Sequence, residues 1–217
     1  DRNLIGTQSV LMGLAAEGIT HILAVTGDPP AKGLDEKITG VYDLNSLKII
    51  SLIKKMNQGK NYYGDDLRGR TSFVIGGAFN PDSRNWNAHE KKLRKKIDGG
   101  INFVQTQPVY SKEIIDKLSA LYHDLAIPIF LGILPLVSSR NAKFLHNEFP
   151  GITIPDEIRD RMHSAGKEGE SEGIEIAWEL IKYAGRKLPG IYIMPPFNRH
   201  GMAAELLYRL RRNAMHS

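Results

Sequence analysis

The 217 residues predict an α/β fold, a leading helix followed by five strand–helix units. Three observations carry this. Short apolar runs such as HILAV (His21 to Val25) alternate with longer segments whose apolar residues recur at helical spacing. Gly, Pro, Asn and Asp punctuate the joints. Neither a low-complexity tract nor a fixed-period repeat interrupts the alternation. Regular alternation of this kind means parallel strands joined by right-handed crossovers. An open doubly wound sheet satisfies it and is complete with five strands. A (β/α)₈ barrel also satisfies it, but with three strands missing. Both architectures bind ligands at the carboxyl ends of their strands, so those ends carry the functional question.

In order, Leu4 to Glu17 reads as a helix with Leu11, Leu14 and Ala15 on one face and Gly18 as its stop. His21 to Val25 reads as a buried strand that ends in the loop Thr26-Gly27-Asp28-Pro29-Pro30, and the loop continues to Tyr42. Leu44 to Asn57 is a helix that turns Leu47, Ile50, Ile53 and Met56 inward. Ser72 to Ile75 is a strand, and Gly76 to Pro81 a loop. A basic helix spans Trp86 to Asp98, and a strand spans Phe103 to Thr106. Ser111 caps a helix running to Leu125, and Ile127 to Leu131 is the next strand. Ser138 or Ser139 caps a helix through Asn147. Helices then cover Ile152 to Ala165 and Glu170 to Ala184, a strand Ile191 to Met194, and a last helix Gly201 to Met215.

Composition narrows the chemistry. With 41% apolar and 24% charged residues the chain can bury a real core. It has no cysteine, which excludes disulfides, thiolate zinc sites, iron–sulfur clusters and cysteine nucleophiles from these residues. The net charge of +5 suits anionic ligands, while no helix-turn-helix, zinc-finger or RNA-binding signature points to nucleic acid. No apolar run approaches the ~20 residues that span a bilayer, and no signal-peptide pattern is present, so no membrane partner and a cytoplasmic location are expected. The seven histidines have no metal spacing. P-loop, GxGxxG and GxSxG patterns are missing, so Walker, Rossmann and hydrolase-elbow chemistry find no support.

At the strand ends, Gly27 would let a flat ligand approach the backbone, and Asp28 is either a turn residue or a catalytic carboxylate. Gln105 and Gln107 share one face of their strand, with Thr106 opposite. Either glutamine is a satisfied structural amide or a ligand for an amide or pteridine edge. The basic helix carries Lys91, Lys92, Arg94, Lys95 and Lys96, with Lys92 and Lys96 on one face. Such a run is a solvated face or a set of point charges for a diphosphate. Arg199 stands just before the last helix, either idle or able to fork onto a carboxylate.

Four segments in register carry a resemblance. They are DRNLIGTQSVLMGLAAEGITHILAVTGDPP, HEKKLRKKIDGGINFVQTQPVYS, PIFLGILPLVSSRNAKF and IYIMPPFNRHGMAAELL. Each resembles a segment of the methylenetetrahydrofolate reductase family, in chain order from its third barrel helix to its final helix. The later segments are most similar to the reductase module of bifunctional bacterial proteins that also carry a homocysteine methyltransferase domain. The resemblance implies a (β/α)₈ TIM barrel, of which residues 1–217 supply strands four to eight with their flanking helices. It implies an FAD flavoprotein oxidoreductase of one-carbon metabolism and methionine biosynthesis. Such an enzyme uses NAD(P)H to reduce 5,10-methylenetetrahydrofolate to 5-methyltetrahydrofolate.

Residue by residue, the resemblance implies that Asp28 lies beside the flavin and the folate and is catalytic, with Thr26 and Gly27 as its cofactor-binding neighbours. Lys92, Lys95 and Lys96 match a helix on the FAD diphosphate and ribose, while Gln107, Asn141 and Arg199 match folate-binding positions. Gly76 and Gly77 fall near where relatives place an aromatic by the flavin. The family's general-acid glutamate belongs to a strand before Asp1, so these residues alone are expected to be inactive. An oligomer, or a longer chain with a methyltransferase domain, is expected. The competing expectation is an inactive barrel remnant that serves as a binding or assembly piece.

Overall fold

The computed structural model describes residues 2–28 and 39–214. The expected turn at Pro29-Pro30 and most of the loop after it lie outside the described residues. The five strands lie in the sheet in chain order. The chain forms two compact units, Asp1–Ala78 with Glu90–Val104, and Phe79–His89 with Gln105–Ser217.

In the first unit, α1 (Leu4–Ala16) starts where the Asn3 side chain accepts a hydrogen bond from the Gly6 N–H. Of the expected apolar face only Leu11 is buried. Strand β1 (His21–Ala24) lies parallel to β2 (Val74–Phe79), with His21 opposite Val74 and Ala24 opposite Gly77. The expectation of a buried first strand is corrected: Ala24 is buried, but Leu23 is 40% exposed and Val25 47%. As first strand of the order, β1 is flanked on one side only among the described residues. Helix α2 (Ser46–Asn57) begins two residues later than expected, because Asn45 caps it by accepting from the Lys48 N–H. Ile50, Leu52, Ile53 and Met56 are fully buried on its inner side.

The glycines at 76 and 77 are strand, not loop. A Cβ on Gly76 would stand 2.5 Å from the Phe103 ring, and one on Gly77 2.8 Å from Ile101. Neighbouring side chains therefore fill the space that the glycines leave, and the extended backbone persists. Helix α3 (Trp86–Gly99) and strand β3 (Phe103–Pro108) follow, the strand running two residues beyond the expected Thr106.

In the second unit, α4 (Lys112–Leu125) is capped by Ser111 as expected. Strand β4 (Ile129–Ile133) pairs parallel with β5 (Gly190–Ile193), matching Gly132 to Tyr192 and Ile133 to Ile193. Helix α5 (Ser139–Glu148) is capped by Ser138. Helix α6 (Asp156–Ser164) starts four residues after the expected Ile152, since Pro155 holds the residue before it extended. Helix α7 (Gly169–Ala184) packs closely on the chain after β4, where a Cβ on Gly173 would meet the Leu136 carbonyl at 1.7 Å. Helix α8 (His200–Ala214) ends the described chain. The core of this unit centres on Ile129, Leu131 and Ile133 of β4, with Ile115, Leu118, Ile154 and Met162 around them. Among the described residues no helix is long and apolar enough to cross a membrane.

Candidate functional site

The candidate residues lie at or beyond the carboxyl ends of strands or on α3, and each unit holds its own set. In the first unit the chain leaves β1 through Thr26, Gly27 and Asp28. The Thr26 hydroxyl accepts the N–H of Ser46 at 3.0 Å, which fastens the loop to the start of α2. Gly27 has φ +87°, a backbone that side chains strain to adopt, and it is exposed. Asp28 is exposed beside it.

Helix α3 does not present its lysines alike. Lys91, Lys92 and Lys95 are exposed, and Arg94 pairs with Glu90 at 2.8 Å. Lys96 points inward and is only 6% exposed, so of the two readings of this run the solvated face does not hold for it. The inward face of α3 is built from Leu93 and Lys96, three residues apart. The Lys96 ammonium donates to the Ala78 carbonyl at 2.6 Å. Its stem lies over the strand glycine, its Cδ 3.5 Å from where a Gly77 Cβ would stand. Burial, and then the charge of Lys92, lower its pKa to about 8.

The sheet register brings these two groups to one end. Ala24 pairs with Gly77, so Ala78 stands level with Val25, one residue before Thr26. The Lys96 ammonium and the Thr26–Asp28 loop are therefore at the same end of β1 and β2. No sequence pattern could have named the Ala78 carbonyl as its anchor.

In the second unit Gln107 occupies the exposed face of β3, with buried Thr106 pointing the other way, as alternation predicts. Asn141 is 8% exposed. Its Oδ1 accepts the Val137 N–H at 3.2 Å, and its own N–H donates to the Ser138 hydroxyl at 3.1 Å. It thus pins the turn that leads into α5, and Nδ2 takes no part in those contacts. Arg199 is exposed and pairs with Glu170 of α7, a partner the sequence did not point to. Before it, Phe197 and Asn198 both adopt positive φ, 48° and 60°, and Phe197 is 71% exposed. Backbone strain of this sort gathers at binding sites. The Pro-Pro-Phe-Asn string promised a turn but not its handedness.

The Val109 N–H donates to the Gly132 carbonyl at 3.2 Å, and the Met194 N–H to the Ile133 carbonyl at 2.8 Å. These bonds align the exits of β3, β4 and β5, so Gln107, the turn held by Asn141 and the Arg199 turn all leave one end of the strands. Among the described residues no group of three or more His, Asp or Glu is placed to hold a metal.

The family model for methylenetetrahydrofolate reductase matches residues 1–210. A Caenorhabditis elegans protein, a probable methylenetetrahydrofolate reductase (NADPH), is 28% identical over 204 residues. That match covers 90% of this chain, and the chain spans 28% of the relative's length. A solved structure of 2,3-dimethylmalate lyase, of the PEP mutase/isocitrate lyase superfamily, covers the whole chain and 67% of its own at 16% identity. Its TM-score of 0.39 is too low to bear on the fold or the activity.

Proposed function

The chain belongs to the methylenetetrahydrofolate reductase family, and from that premise we propose that its residues serve an FAD-dependent reduction of 5,10-methylenetetrahydrofolate by NAD(P)H. The product is 5-methyltetrahydrofolate. The strands are read as part of a (β/α)₈ barrel, and residues 1–217 as its C-terminal part, within a longer polypeptide that also holds a homocysteine methyltransferase domain.

The residues of the first unit fit the proposed cofactor. Lys96 is desolvated and sits within the field of Lys92, two costs that a diphosphate placed between them would offset. Gly27 leaves backbone open to a flat ring, and the Thr26 hydroxyl, already accepting from Ser46, keeps its own proton to donate. FAD, when bound, supplies the carrier for a hydride between nicotinamide and folate. The chain's own residues bind and polarise. Asp28 places a negative charge where it favours the cationic form of the methylene donor. Gln107 offers a donor and an acceptor to the pteridine edge, and Asn141 its Nδ2 donors. Arg199 exchanges Glu170 for the folate glutamate carboxylate, a bidentate match for its guanidinium.

The observation that supports this reading most is the Lys96 ammonium on the Ala78 carbonyl, a cation held inward at the same end of the strands as the Thr26–Asp28 loop. It is tested by titrating FAD into the longer polypeptide and into its Lys96→Met variant. Tight binding by the parent and weak binding by the variant are expected, and equal binding by both would remove the support.

A further inference from the structure

We propose that Tyr192 is a positioning residue for Gln107, acting through Thr106 across a passage that Gly132 leaves open. The inference rests on the reading of Gln107 as a folate ligand.

Gln107 is exposed, and its side chain makes no hydrogen bond to the described residues. Its direction must then come from its own backbone. Three constraints act there. The Tyr192 hydroxyl donates to the Thr106 carbonyl. The Thr106 hydroxyl donates to the Gln107 carbonyl at 2.8 Å. Pro108 follows, which keeps the residue before it extended. The Thr106 carbonyl belongs to the peptide plane before the Gln107 Cα, and the Gln107 carbonyl to the plane after it. Holding both planes fixes φ and ψ of Gln107, and with them the direction of its Cα–Cβ bond.

Thr106 is itself held, because its hydroxyl accepts the Gly132 N–H at 2.9 Å. That hydroxyl accepts from β4 and donates to β3, so its capacity is well used. Tyr192 stands on β5, opposite Gly132 in the register, so its hydroxyl must cross β4 to reach β3. Only a glycine permits this. A Cβ at 132 would stand 2.7 Å from the Thr106 oxygen, 3.0 Å from the Tyr192 Oη and 3.1 Å from the Gln107 oxygen. Burial raises the Tyr192 pKa, so the phenol keeps the proton that it donates. No general need of the fold calls for a tyrosine hydroxyl at this point. A phenylalanine would fill the same space, and the hydroxyl adds a bond directed at one peptide group.

The test is a double-mutant cycle on the FAD-saturated protein, read as the dissociation constant for 5-methyltetrahydrofolate by titration calorimetry. Tyr192→Phe is expected to weaken binding roughly two- to tenfold, the range one hydrogen bond is worth. In a Gln107→Ala background the same change is expected to have almost no further effect. Equal weakening in both backgrounds would make Tyr192 a general structural residue and overturn the inference. If Gln107→Ala weakens binding and Tyr192→Phe does not, the inference falls and the folate role of Gln107 stands. If Gln107→Ala is harmless, both fall. Should Tyr192→Phe fail to fold, Thr106→Ser and Thr106→Val replace it. Serine keeps the hydroxyl and is expected to keep affinity, whereas valine is expected to lose it; equal affinity in the two would count against the inference. A readout independent of flavin is the backbone amide resonance of Gln107, whose peptide group carries the carbonyl that Tyr192 bonds. It is expected to shift in Tyr192→Phe, and an unmoved resonance would contradict the proposal.

Discussion

Lys96→Met replaces a buried ammonium with an apolar chain of similar length. In the flavin-free protein Lys96 has a pKa of about 8, lowered first by burial and then by Lys92. A diphosphate would hold the ammonium charged, so the complex keeps its proton at pH values where the free protein has lost it. The sign follows: above about pH 8 the free protein must take up a proton to bind, and affinity falls as pH rises. For one linked proton, affinity drops about tenfold between roughly pH 7 and pH 9. At neutral pH, loss of a charge-assisted hydrogen bond of about 1.5–3 kcal/mol weakens FAD binding about ten- to hundredfold. Lys91→Ala, on the exposed face, is expected to change affinity little. The assay is flavin fluorescence quenching over a pH series for the three proteins. A pH slope as steep in Lys96→Met as in the parent, or equal losses in Lys96→Met and Lys91→Ala, would refute the assignment.

In the complete enzyme, Asp28→Asn is expected to retain FAD but slow folate reduction ~10²–10³-fold, which stopped-flow with folate as acceptor measures; an unchanged rate would leave Asp28 a turn residue. Arg199→Lys is expected to raise the folate KM far more than the NAD(P)H KM, because a fork becomes a point charge, and steady-state kinetics with each substrate varied decides it. Gly173→Ala is expected to destabilise the second unit by about 1–3 kcal/mol, since its Cβ would strike the Leu136 carbonyl at 1.7 Å; urea unfolding checks this.

Much of this was legible in the sequence, and the failures share a cause. The caps at Ser111 and Ser138 and Ile50, Ile53 and Met56 on the inner face of α2 follow from local chemistry, so spacing found them, while Leu52 was missed and Leu47 is only half-buried. The strand through Gly76 and Gly77 did not follow, because Phe103 of β3 and Ile101 just before it supply the packing that those glycines lack, and both lie far along the chain. Spacing sets Lys96 on the basic helix near Lys92 but does not foretell its burial. Helical spacing groups it with Lys92 or with Leu93 equally well, and the Ala78 carbonyl that draws it inward is invisible in sequence. Glu170 opposite Arg199 and Tyr192 above Thr106 are likewise long-range partners. The polar residues at the strand ends could be named from the sequence, but the hydrogen bonds that hold them could not.

The most direct test follows the colour of the flavin through a whole cycle. The longer polypeptide in which residues 1–217 are proposed to act is saturated with FAD without oxygen, mixed with NAD(P)H and then with 5,10-methylenetetrahydrofolate, while visible absorption is recorded. The account predicts that NAD(P)H bleaches the flavin and the folate restores its colour, with 5-methyltetrahydrofolate as product. A protein that binds no flavin, or a bleached flavin that oxygen reoxidises and the folate does not, would contradict it.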